Sequence, residues 1–499
     1  MEAMERMTGV DRRLLRTVLL STAVFGFLAH GFLFSNEFFS HDSISYFSYA
    51  DWGFPFYLSV GRFLIPVLEW WKGGAASPWL GGMLFLLWMS LAAAGVIRIL
   101  GIRSLMGQVF TCGLLCTNLS LTLAGATYVY CLDEYALALL LAVLAAGCIL
   151  RGGWAALAGL GLLVLSLGIY QPYFTVAASL CLMGVLRQAL EESPMMYTLG
   201  KGVYSLCLLA AGFAAYTVLW TALCGLTGTV RRREGMSFSW KEIPGLAAAG
   251  LGRYARFLFT PAGVLGWLLP VLHVVLLLLL AWRLSRILPA LSPCNRVLVM
   301  VCVCLLPVAF GSAGILIPAD AHALTGFARE LIWLLPFLRE DLFPWPPKLA
   351  RTAQGLICAA VVLVLWHHVV FANQAYMKKD LEKNATLTLA ARILDRVENT
   401  EGYVPGETPV AFAGRLDENP YYRAAFRTAF SDLYGQTGLF SPYAATYNLG
   451  RYLTDYLHEP LVWDQDYDAD GSATVGEMPP FPAAGSVRLT DGRMVVRLS

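Results

Sequence analysis

The chain has 499 residues, of which 57 % are hydrophobic and only 14 % are charged, and its mean hydropathy is +0.60. This composition excludes a soluble globular protein, because a soluble core could not bury so much apolar surface. The net charge of +2 gives no general attraction to nucleic acid, and no basic nucleic-acid motif is present, so no nucleic-acid partner is predicted. The sequence therefore predicts a polytopic membrane protein in contact with lipid.

About eleven runs are long and apolar enough to cross a membrane, since a helical span needs about 20 mostly apolar residues. Arginines precede the first run, and most Lys and Arg residues of the later short loops fall on the same side. Such residues favour the cytoplasmic side, which predicts an inside N-terminus and an outside tail. The predicted spans lie near residues 14–34, 80–97, 105–125, 134–150, 154–169, 172–187, 203–224, 261–282, 297–317, 324–342 and 352–373.

The stretch SNEFFSHDSISYFSYADWGFPFYLSVGR, residues 35–62, carries more acids and rings than a connecting loop requires. Its composition predicts an interfacial or re-entrant helix at the outer surface. Asp42 and Asp51 would then lie at the lipid–water boundary. Partial desolvation there raises the pKa of a carboxylate toward the working pH, as a general base requires. Asp42 could instead cap a helix beginning near Ser43. Arg62 could extend its charge to the interface or bind a phosphate.

A second pair of acids, Asp133 and Glu134, follows a short outward loop and is flanked by tyrosines. Neighbouring residues point in different directions on a helix, so at most one of the pair is predicted to face a cavity shared with Asp42. Both acids could instead only favour the positive end of the helix dipole. With Asp42, they are the predicted catalytic acids.

Two tyrosines and a glutamine, Tyr170, Tyr173 and Gln171, lie at a predicted outer helix end. They could hydrogen-bond to or stack on a sugar ring, or they could anchor the span in the interface. We assign them to substrate binding.

One outward connection, residues 225–260, contradicts the charge rule because it holds six cations. A span could be miscounted, the loop could lie on lipid head groups, or the cations could bind an outward anion. Arg253 and Arg256 are the predicted phosphate ligands, since their spacing of three just before a span puts both on one helical face. Arg329, beside Glu330 in the predicted span 324–342, is a further candidate, because charges within a membrane are costly and often functional. A mutual ion pair or a misplaced boundary would also explain these two residues.

The composition changes at residue 375, which predicts a membrane domain over 1–374 and a small α/β extracytoplasmic domain over 375–499. Residues 380–398 have helical periodicity, and TPVAFAGRL and RMVVRLS are typical of short strands. The acidic run DYDADGSATVGE, residues 466–477, matches the calcium-loop template. Prolines on both sides argue against the flanking helices of such a site, so an acidic surface loop is predicted.

Several segments together resemble the bacterial membrane glucosyltransferases of the serotype-converting O-antigen type, the GtrII-like family of the GT-C class. These segments are HDSISYFSYADW, SVGRFLIP, LDEYALALLLAV and SLGIYQPYFTVAASL. The resemblance implies a multi-pass enzyme of the bacterial cytoplasmic membrane that moves a hexose, usually glucose, from a polyprenyl-phosphate carrier to a cell-surface glycan. It also implies that an acid of the first outward loop, here Asp42, is the general base.

Relatives frequently carry two neighbouring acids in this loop, whereas this chain has His41 before Asp42. This difference argues against a metal ion bridged by two acids. His41 and Asp51 are assigned to substrate binding. No cofactor is expected to be required, because arginine can neutralise a single phosphate without a metal. A divalent metal remains an alternative.

Two other functional classes stay open at this point. A transporter or flippase of lipid-linked sugars would carry charges near the bilayer midplane and show internal repeats. A glycan polymerase or ligase would share the fold but use a lipid-linked oligosaccharide as donor.

Overall fold

The computed structural model describes residues 12–40, 54–73, 77–232, 243–312, 323–339, 347–415, 419, 445–467 and 471–499. Within these ranges, nine helices are long and apolar enough to cross a membrane. The predicted architecture, a multi-span helical domain followed by a small α/β domain, is confirmed. The helices of the membrane domain are α1 Arg12–Phe34, α2 Phe54–Ser59, α3 Ile65–Trp71, α4 Pro78–Leu100, α5 Leu105–Cys116, α6 Leu119–Thr127, α7 Leu132–Arg151, α8 Trp154–Ile169, α9 Phe174–Leu190, α10 Met195–Thr227, α11 Ile243–Phe259, α12 Leu268–Ile287, α13 Pro293–Gly311 and α14 Pro347–Glu398.

The helix ends follow from local sequence. Ser77 caps α4 by accepting a hydrogen bond from the Leu80 amide, and Pro78 occupies the first turn, where its missing amide proton is not needed. Gly101 ends the same helix in the left-handed region at φ 66°, which favours glycine. Small residues such as Ala92 and Ala93 are fully buried and allow neighbouring helices to approach closely.

The third span is broken near its middle, where α5 ends at Cys116 and α6 begins at Leu119. Asn118 caps the second half by accepting from the Ser120 amide, and its own amide group donates to the Phe327 carbonyl at 3.1 Å. The amide of Leu119 donates to Glu330 Oε1 at 3.2 Å. A buried carboxylate thus satisfies a backbone donor that the break leaves open.

The predicted span 324–342 is a 3₁₀ helix, Phe327–Phe337, that crosses the inside of the bundle. At one end, the Leu324 carbonyl accepts from Tyr170 at 3.3 Å, and at the other end Arg339 pairs with Glu191. Tyr170 and Glu191 lie beyond opposite ends of α9, which is about 25 Å long. This 3₁₀ crossing and the 16-residue helix α8 therefore join the nine longer spans.

The eleven crossings in the described part of the chain bring the start of α1 and the tail to opposite ends of the bundle. We call the end at which α1 finishes and α14 enters the tail the tail-side end. The basic connection after α10 lies at this end too, because the Arg232 amide donates to the Ser59 carbonyl at 3.0 Å. Arg231 stacks on Trp220, with 4.1 Å between the guanidinium carbon and the ring centroid.

The basic connection thus lies at the same end of the bundle as residues 54–62. It was predicted on the same side as the tail, and the number of crossings before it agrees with that side. Helix α11 packs across the ends of α12 and α13 instead of adding a span of its own. The Leu258 carbonyl hydrogen-bonds with His273 Nδ1, and Tyr254 contacts the Phe310 ring. Arg253 and Arg256 lie inside this helix. The sequence instead predicted a position just before a span, and the next span begins at Leu268.

The last span and the first helix of the tail form one helix of 52 residues, α14. The predicted boundary at residue 375 lies inside it, and separate hydrophobic cores lie on either side, one extending to Tyr376 and one beginning at Leu389. The two predicted strands are confirmed. The sheet has the order β2-β1-β4-β3, with β1 parallel to β2 and β4 and with β3 antiparallel to β4; the strands are β1 Pro409–Ala413, β2 Val462–Trp463, β3 Val487–Thr490 and β4 Arg493–Arg497.

Candidate functional site

A buried ionic cluster lies at the tail-side end, where α3 meets the start of α7. The ammonium of Lys72 is 2.6 Å from Glu134 Oε1, 3.1 Å from Asp133 Oδ1 and 3.2 Å from Glu69 Oε1. It also donates to the Tyr130 carbonyl at 3.2 Å. All four charged side chains are buried, so three carboxylates share one cation out of contact with solvent.

The cluster would carry a charge of −2 if all its carboxylates were ionised, because three anions face one cation. Burial raises the pKa of Glu69, although Lys72 opposes that shift. Burial alone would lower the pKa of Lys72, but the three carboxylates outweigh it and raise the pKa instead. Lys72 is therefore held as a cation, and the excess of carboxylates favours a retained proton.

Sequence reasoning found Asp133 and Glu134 but missed Glu69 and Lys72. Both predicted acids contact the same ammonium, although neighbouring helical residues point in different directions, because the lysine reaches between them. The missed signal was a glutamate and a lysine three residues apart in the otherwise apolar stretch FLIPVLEWWK. Two opposite charges three residues apart lie on the same helical face, and within an apolar stretch they indicate a buried ion pair.

Arg62 lies in a group of tyrosines that the fold brings together from three segments. Its Nη1 donates to the Tyr135 hydroxyl at 3.1 Å, and its guanidinium carbon is 5.3 Å from the centroid of Tyr170. Tyr135 and Tyr170 stack with centroids 4.3 Å apart, and Tyr173 packs edge-on against Tyr170 at 5.0 Å. The predicted residues Arg62, Tyr170 and Tyr173 thus form one cation–aromatic surface beside the ionic cluster.

Gln171 holds the chain that carries Arg62. Its Nε2 donates to the Val60 carbonyl at 2.8 Å and to the Tyr216 hydroxyl at 3.0 Å. Tyr216 in turn donates to the Gly61 carbonyl at 3.1 Å. Gln171 therefore positions Arg62 through the backbone of its loop.

His41, Asp42 and Asp51 lie outside the described residues, whose last member before them is Ser40. The Ser40 hydroxyl donates to the Thr127 carbonyl at 2.8 Å, and the next residue, Tyr128, packs against Tyr135 with 6.0 Å between the ring centroids. Phe39 joins the core of the tail, with its ring centroid 4.8 Å from that of Tyr456. The chain leading into the predicted catalytic loop is thus fixed both to the membrane domain and to the tail.

A largely apolar cavity of about 310 Å³ lies between α9, α11, α12, α13 and the 3₁₀ crossing. Leucine, isoleucine, valine and phenylalanine side chains form nearly all of its wall. Arg283 lines it toward the end of α12, and Tyr254 lines it near the tail-side end. The cavity therefore runs along the spans and suits a long apolar ligand.

The predicted phosphate ligands differ in their environment beside this cavity. Arg253 is half-buried and interacts electrostatically with Arg329 in the 3₁₀ crossing, and Tyr254 also interacts with Arg329. Arg256, three residues further along α11, is exposed. The structure therefore brings Arg253 and Arg329 together and separates Arg256 from them.

No group of three or more His, Cys, Asp or Glu residues in the described part of the chain is arranged to hold a metal ion. The three carboxylates at the tail-side end converge on Lys72, whose ammonium occupies the position between them. The acidic run 466–477, predicted to be a surface loop, lies partly outside the described residues, and Asp464 just before it pairs with Arg493 at 2.6 Å.

The fold and the site define a polytopic membrane protein with a charged, aromatic site at one end of the bundle and a largely apolar cavity between its helices. The chain belongs to the GtrII glucosyltransferase family, because the family model described as Glucosyl transferase GtrII matches residues 31–317, more than half of its length. Neither a curated protein nor a solved structure matches the chain. The predicted resemblance is confirmed, and the family indicates a membrane glycosyltransferase that uses a sugar donor and a glycan acceptor.

Proposed function

We propose that this protein transfers glucose from a polyprenyl-phosphate carrier to a cell-surface glycan, with Asp42 as the general base. The apolar cavity is the observation that carries the choice of carrier. A free sugar nucleotide has no apolar chain to bury in a cavity lined by leucine and valine. An isoprenoid chain, in contrast, gains about 0.8 kcal/mol for each buried methylene. The Arg253–Arg329 pair near the tail-side end supplies positive charge for a phosphate.

The reaction is a displacement at the anomeric carbon of glucose. The acceptor hydroxyl oxygen forms the new bond to this carbon, and the bond from the carbon to the phosphate oxygen breaks. The hydroxyl proton passes to the Asp42 carboxylate, and the electron pair of the broken bond stays on the polyprenyl phosphate. Arg253 and Arg329 would stabilise the charge that grows on the phosphate in the transition state.

The cation–aromatic surface at the tail-side end fits the sugar side of this reaction. Tyrosine rings stack on the apolar faces of hexoses, and Arg62 and the tyrosine hydroxyls can hydrogen-bond to sugar hydroxyls. We propose that Tyr170, Tyr173 and Arg62 bind the sugar or the acceptor. Asp133 and Glu134 then act as positioning residues that hold Lys72 beneath this surface.

We also propose that the protein lies in the bacterial cytoplasmic membrane with its N-terminus inside and its tail outside. The arginines in the first turns of α1 and at the ends of α4 and α7 opposite the tail support this orientation. The reaction would then take place at the outer surface, where the glycan acceptor is found.

One observation favours a second candidate, a transporter of lipid-linked sugars. Glu330 is buried within the bundle, and His368 Nε2 lies 3.7 Å from its Oε2 beside the broken third span. Buried ionisable groups at interrupted helices are typical of transporters. Glu330 also caps α6, which gives it a structural role without transport.

Transfer measured in detergent micelles separates these functions, because micelles have no second compartment. Purified protein would be mixed with polyprenyl-phosphate-[¹⁴C]glucose and a glycan acceptor, and radiolabelled glycan would be counted. We expect transfer by the native protein and a loss of about 10² to 10⁴-fold in Asp42→Asn, as for removal of a general base.

Asp51→Asn changes an assigned substrate-binding residue of the same loop, so it should raise KM and lower kcat far less than Asp42→Asn does. No transfer by the native protein would favour the transporter, and transfer only from a lipid-linked oligosaccharide would favour a polymerase or ligase. Equal activity of Asp42→Asn and the native protein would remove Asp42 from the mechanism.

A further inference from the structure

Several buried polar atoms near the tail-side end of the cavity have no hydrogen-bond partner among the described residues. They are both ring nitrogens of His367, Nε2 of His273, the hydroxyl of Tyr254 and Nε of Arg329. His367 and His273 are each 1 % exposed, and Tyr254 is 3 % exposed. A buried polar group without a partner destabilises a protein, because it loses its hydrogen bonds to water and gains none in return, so such a concentration requires an explanation.

These atoms belong to one region. The His273 ring lies 5.3 Å from Phe257, whose ring lies 6.0 Å from that of Tyr254. Tyr254 interacts electrostatically with Arg329, and His367 does so with His273. Four helical elements, α11, α12, the 3₁₀ crossing and α14, therefore each contribute a polar group.

The backbone also approaches this region closely. Gly263, in the turn between α11 and α12, has φ +53° and leaves no room for a Cβ against the His367 ring. Only glycine fits here without displacing the imidazole.

Other buried polar side chains of the same domain show that this fold can satisfy such groups. His30 is fully buried, yet its Nδ1 hydrogen-bonds with the Tyr376 hydroxyl at 2.7 Å and its Nε2 with the Cys116 carbonyl at 2.9 Å. The tyrosine hydroxyl and the histidine of that pair satisfy each other. Single unpartnered polar atoms, such as Thr22 Oγ1 and Ser205 Oγ, occur elsewhere among the described residues. Near the cavity, four elements contribute such atoms to one region, and this convergence fits a site built for a ligand.

We propose that Tyr254, His273, His367 and Arg329 bind the glucosyl-phosphate head group of the lipid carrier. The inference rests on the proposed function and extends it by naming the head-group ligands. Phosphate oxygens only accept hydrogen bonds, and Arg329 and the Tyr254 hydroxyl supply donors for them. A neutral imidazole has one donor and one acceptor, so His273 and His367 can also accept from glucose hydroxyls.

The position of the site agrees with this ligand. Tyr254 lines the cavity, so an isoprenoid chain in the cavity would bring its phosphate to the Tyr254 hydroxyl. The half-buried Arg253 interacts electrostatically with Arg329, and two neighbouring guanidinium groups repel each other until an anion lies between them. The head group would thus relieve both the charge repulsion and the unsatisfied hydrogen bonds.

The test is a binding experiment that needs neither glucose nor acceptor. Farnesyl monophosphate is the probe, and farnesol, which lacks only the phosphate, is its matched control. Affinity for protein in lipid nanodiscs would be measured by titration calorimetry. We expect the phosphate to bind the native protein at least tenfold more tightly than farnesol, and equal affinities would overturn the proposal.

Tyr254→Phe removes one unpartnered hydroxyl and nothing else. Because no hydrogen bond is lost in the empty protein, its unfolding temperature should equal or exceed that of the native protein. Its affinity for farnesyl monophosphate should fall about tenfold, the usual effect of one hydrogen bond to a charged group, while farnesol affinity stays unchanged. His367→Phe should behave in the same way.

Tyr376→Phe is the matched control, since its hydroxyl is hydrogen-bonded to His30. It should unfold at a lower temperature and bind farnesyl monophosphate as the native protein does. If buried water alone satisfied the polar atoms, Tyr254→Phe would keep native affinity, and the proposal would be wrong. Tight phosphate binding without glucose transfer would instead overturn the proposed function and leave this site standing.

Discussion

Replacing Lys72 by methionine tests the ionic cluster most directly. The variant keeps an apolar side chain of similar length but removes the ammonium that lies 2.6–3.2 Å from Glu69, Asp133 and Glu134. At about 3 Å and an effective dielectric of about 20, each contact supplies about 5 kcal/mol of direct attraction, much of which desolvation offsets. Removing one partner of a buried ion pair typically destabilises by about 3–5 kcal/mol. We expect the unfolding temperature to fall by about 5 °C.

The loss should depend on pH, and Glu69 gives its direction. Burial raises the pKa of this carboxyl in the folded protein above its unfolded value. The stability that protonation supplies is then fully present below the unfolded pKa and is lost as the pH rises toward the folded pKa. Without Lys72 the folded pKa rises further, so Lys72→Met should be closer to the native protein at pH 5 than at pH 8.

Thermal unfolding in detergent, followed by intrinsic fluorescence at both pH values, measures this effect. Lys201→Met is the matched control, because Lys201 donates to the carbonyls of Leu150 and Arg151, at 2.8 and 2.9 Å, and to no carboxylate among the described residues. Its effect should not depend on pH. Adding Glu134→Gln to Lys72→Met should restore part of the lost stability, because one uncompensated carboxylate is removed. An equal loss at pH 5 and pH 8, with no recovery in the double variant, would refute the proposed charge balance.

Two further predictions concern the donor phosphate and the orientation. Arg253→Gln should lower kcat/KM for the polyprenyl-phosphate donor about tenfold, whereas Arg256→Gln should leave it near the native value. The reason is that Arg253 is half-buried and interacts with Arg329, whereas Arg256 is exposed. Steady-state kinetics with a solubilised donor measures both values, and a larger loss in Arg256→Gln would contradict the proposed site. A cysteine at the exposed tail position Glu401 should react with an impermeant reagent in intact cells, whereas one at Arg151 should react only after permeabilisation; labelling of Arg151→Cys alone in intact cells would reverse the orientation.

Much of the membrane domain was predictable, because the apolar composition of each span by itself indicates a helix in lipid. A run of about 20 apolar residues has few stable conformations in lipid besides a helix, since every backbone polar group must be satisfied internally. The crossing at 324–342 was predicted as a span, but its 3₁₀ form was not. Lipid does not contact it, since Phe327, Trp333 and Phe337 are all buried within the bundle, and neighbouring helices set its geometry.

The candidate site was predictable only in part. Asp133, Glu134, Arg62 and Tyr170 stand out in the sequence because ionisable and aromatic residues at span ends are unusual. Their partners do not stand out: Lys72 lies 61 residues before Asp133, and no local pattern shows that the two meet.

The sequence by itself determined that this chain is a multi-span membrane protein of the GtrII family with an α/β tail, because hydropathy, charge placement and motif order are properties of successive residues. Only the tertiary structure decided that three carboxylates share one lysine, that Phe39 joins the core of the tail, and that His273, His367 and Arg329 lie in one region with Tyr254, which lines an apolar cavity. Those relations join segments up to hundreds of residues apart. They depend on which helices pack together, and packing is set by the sum of many weak contacts that no single stretch of sequence displays.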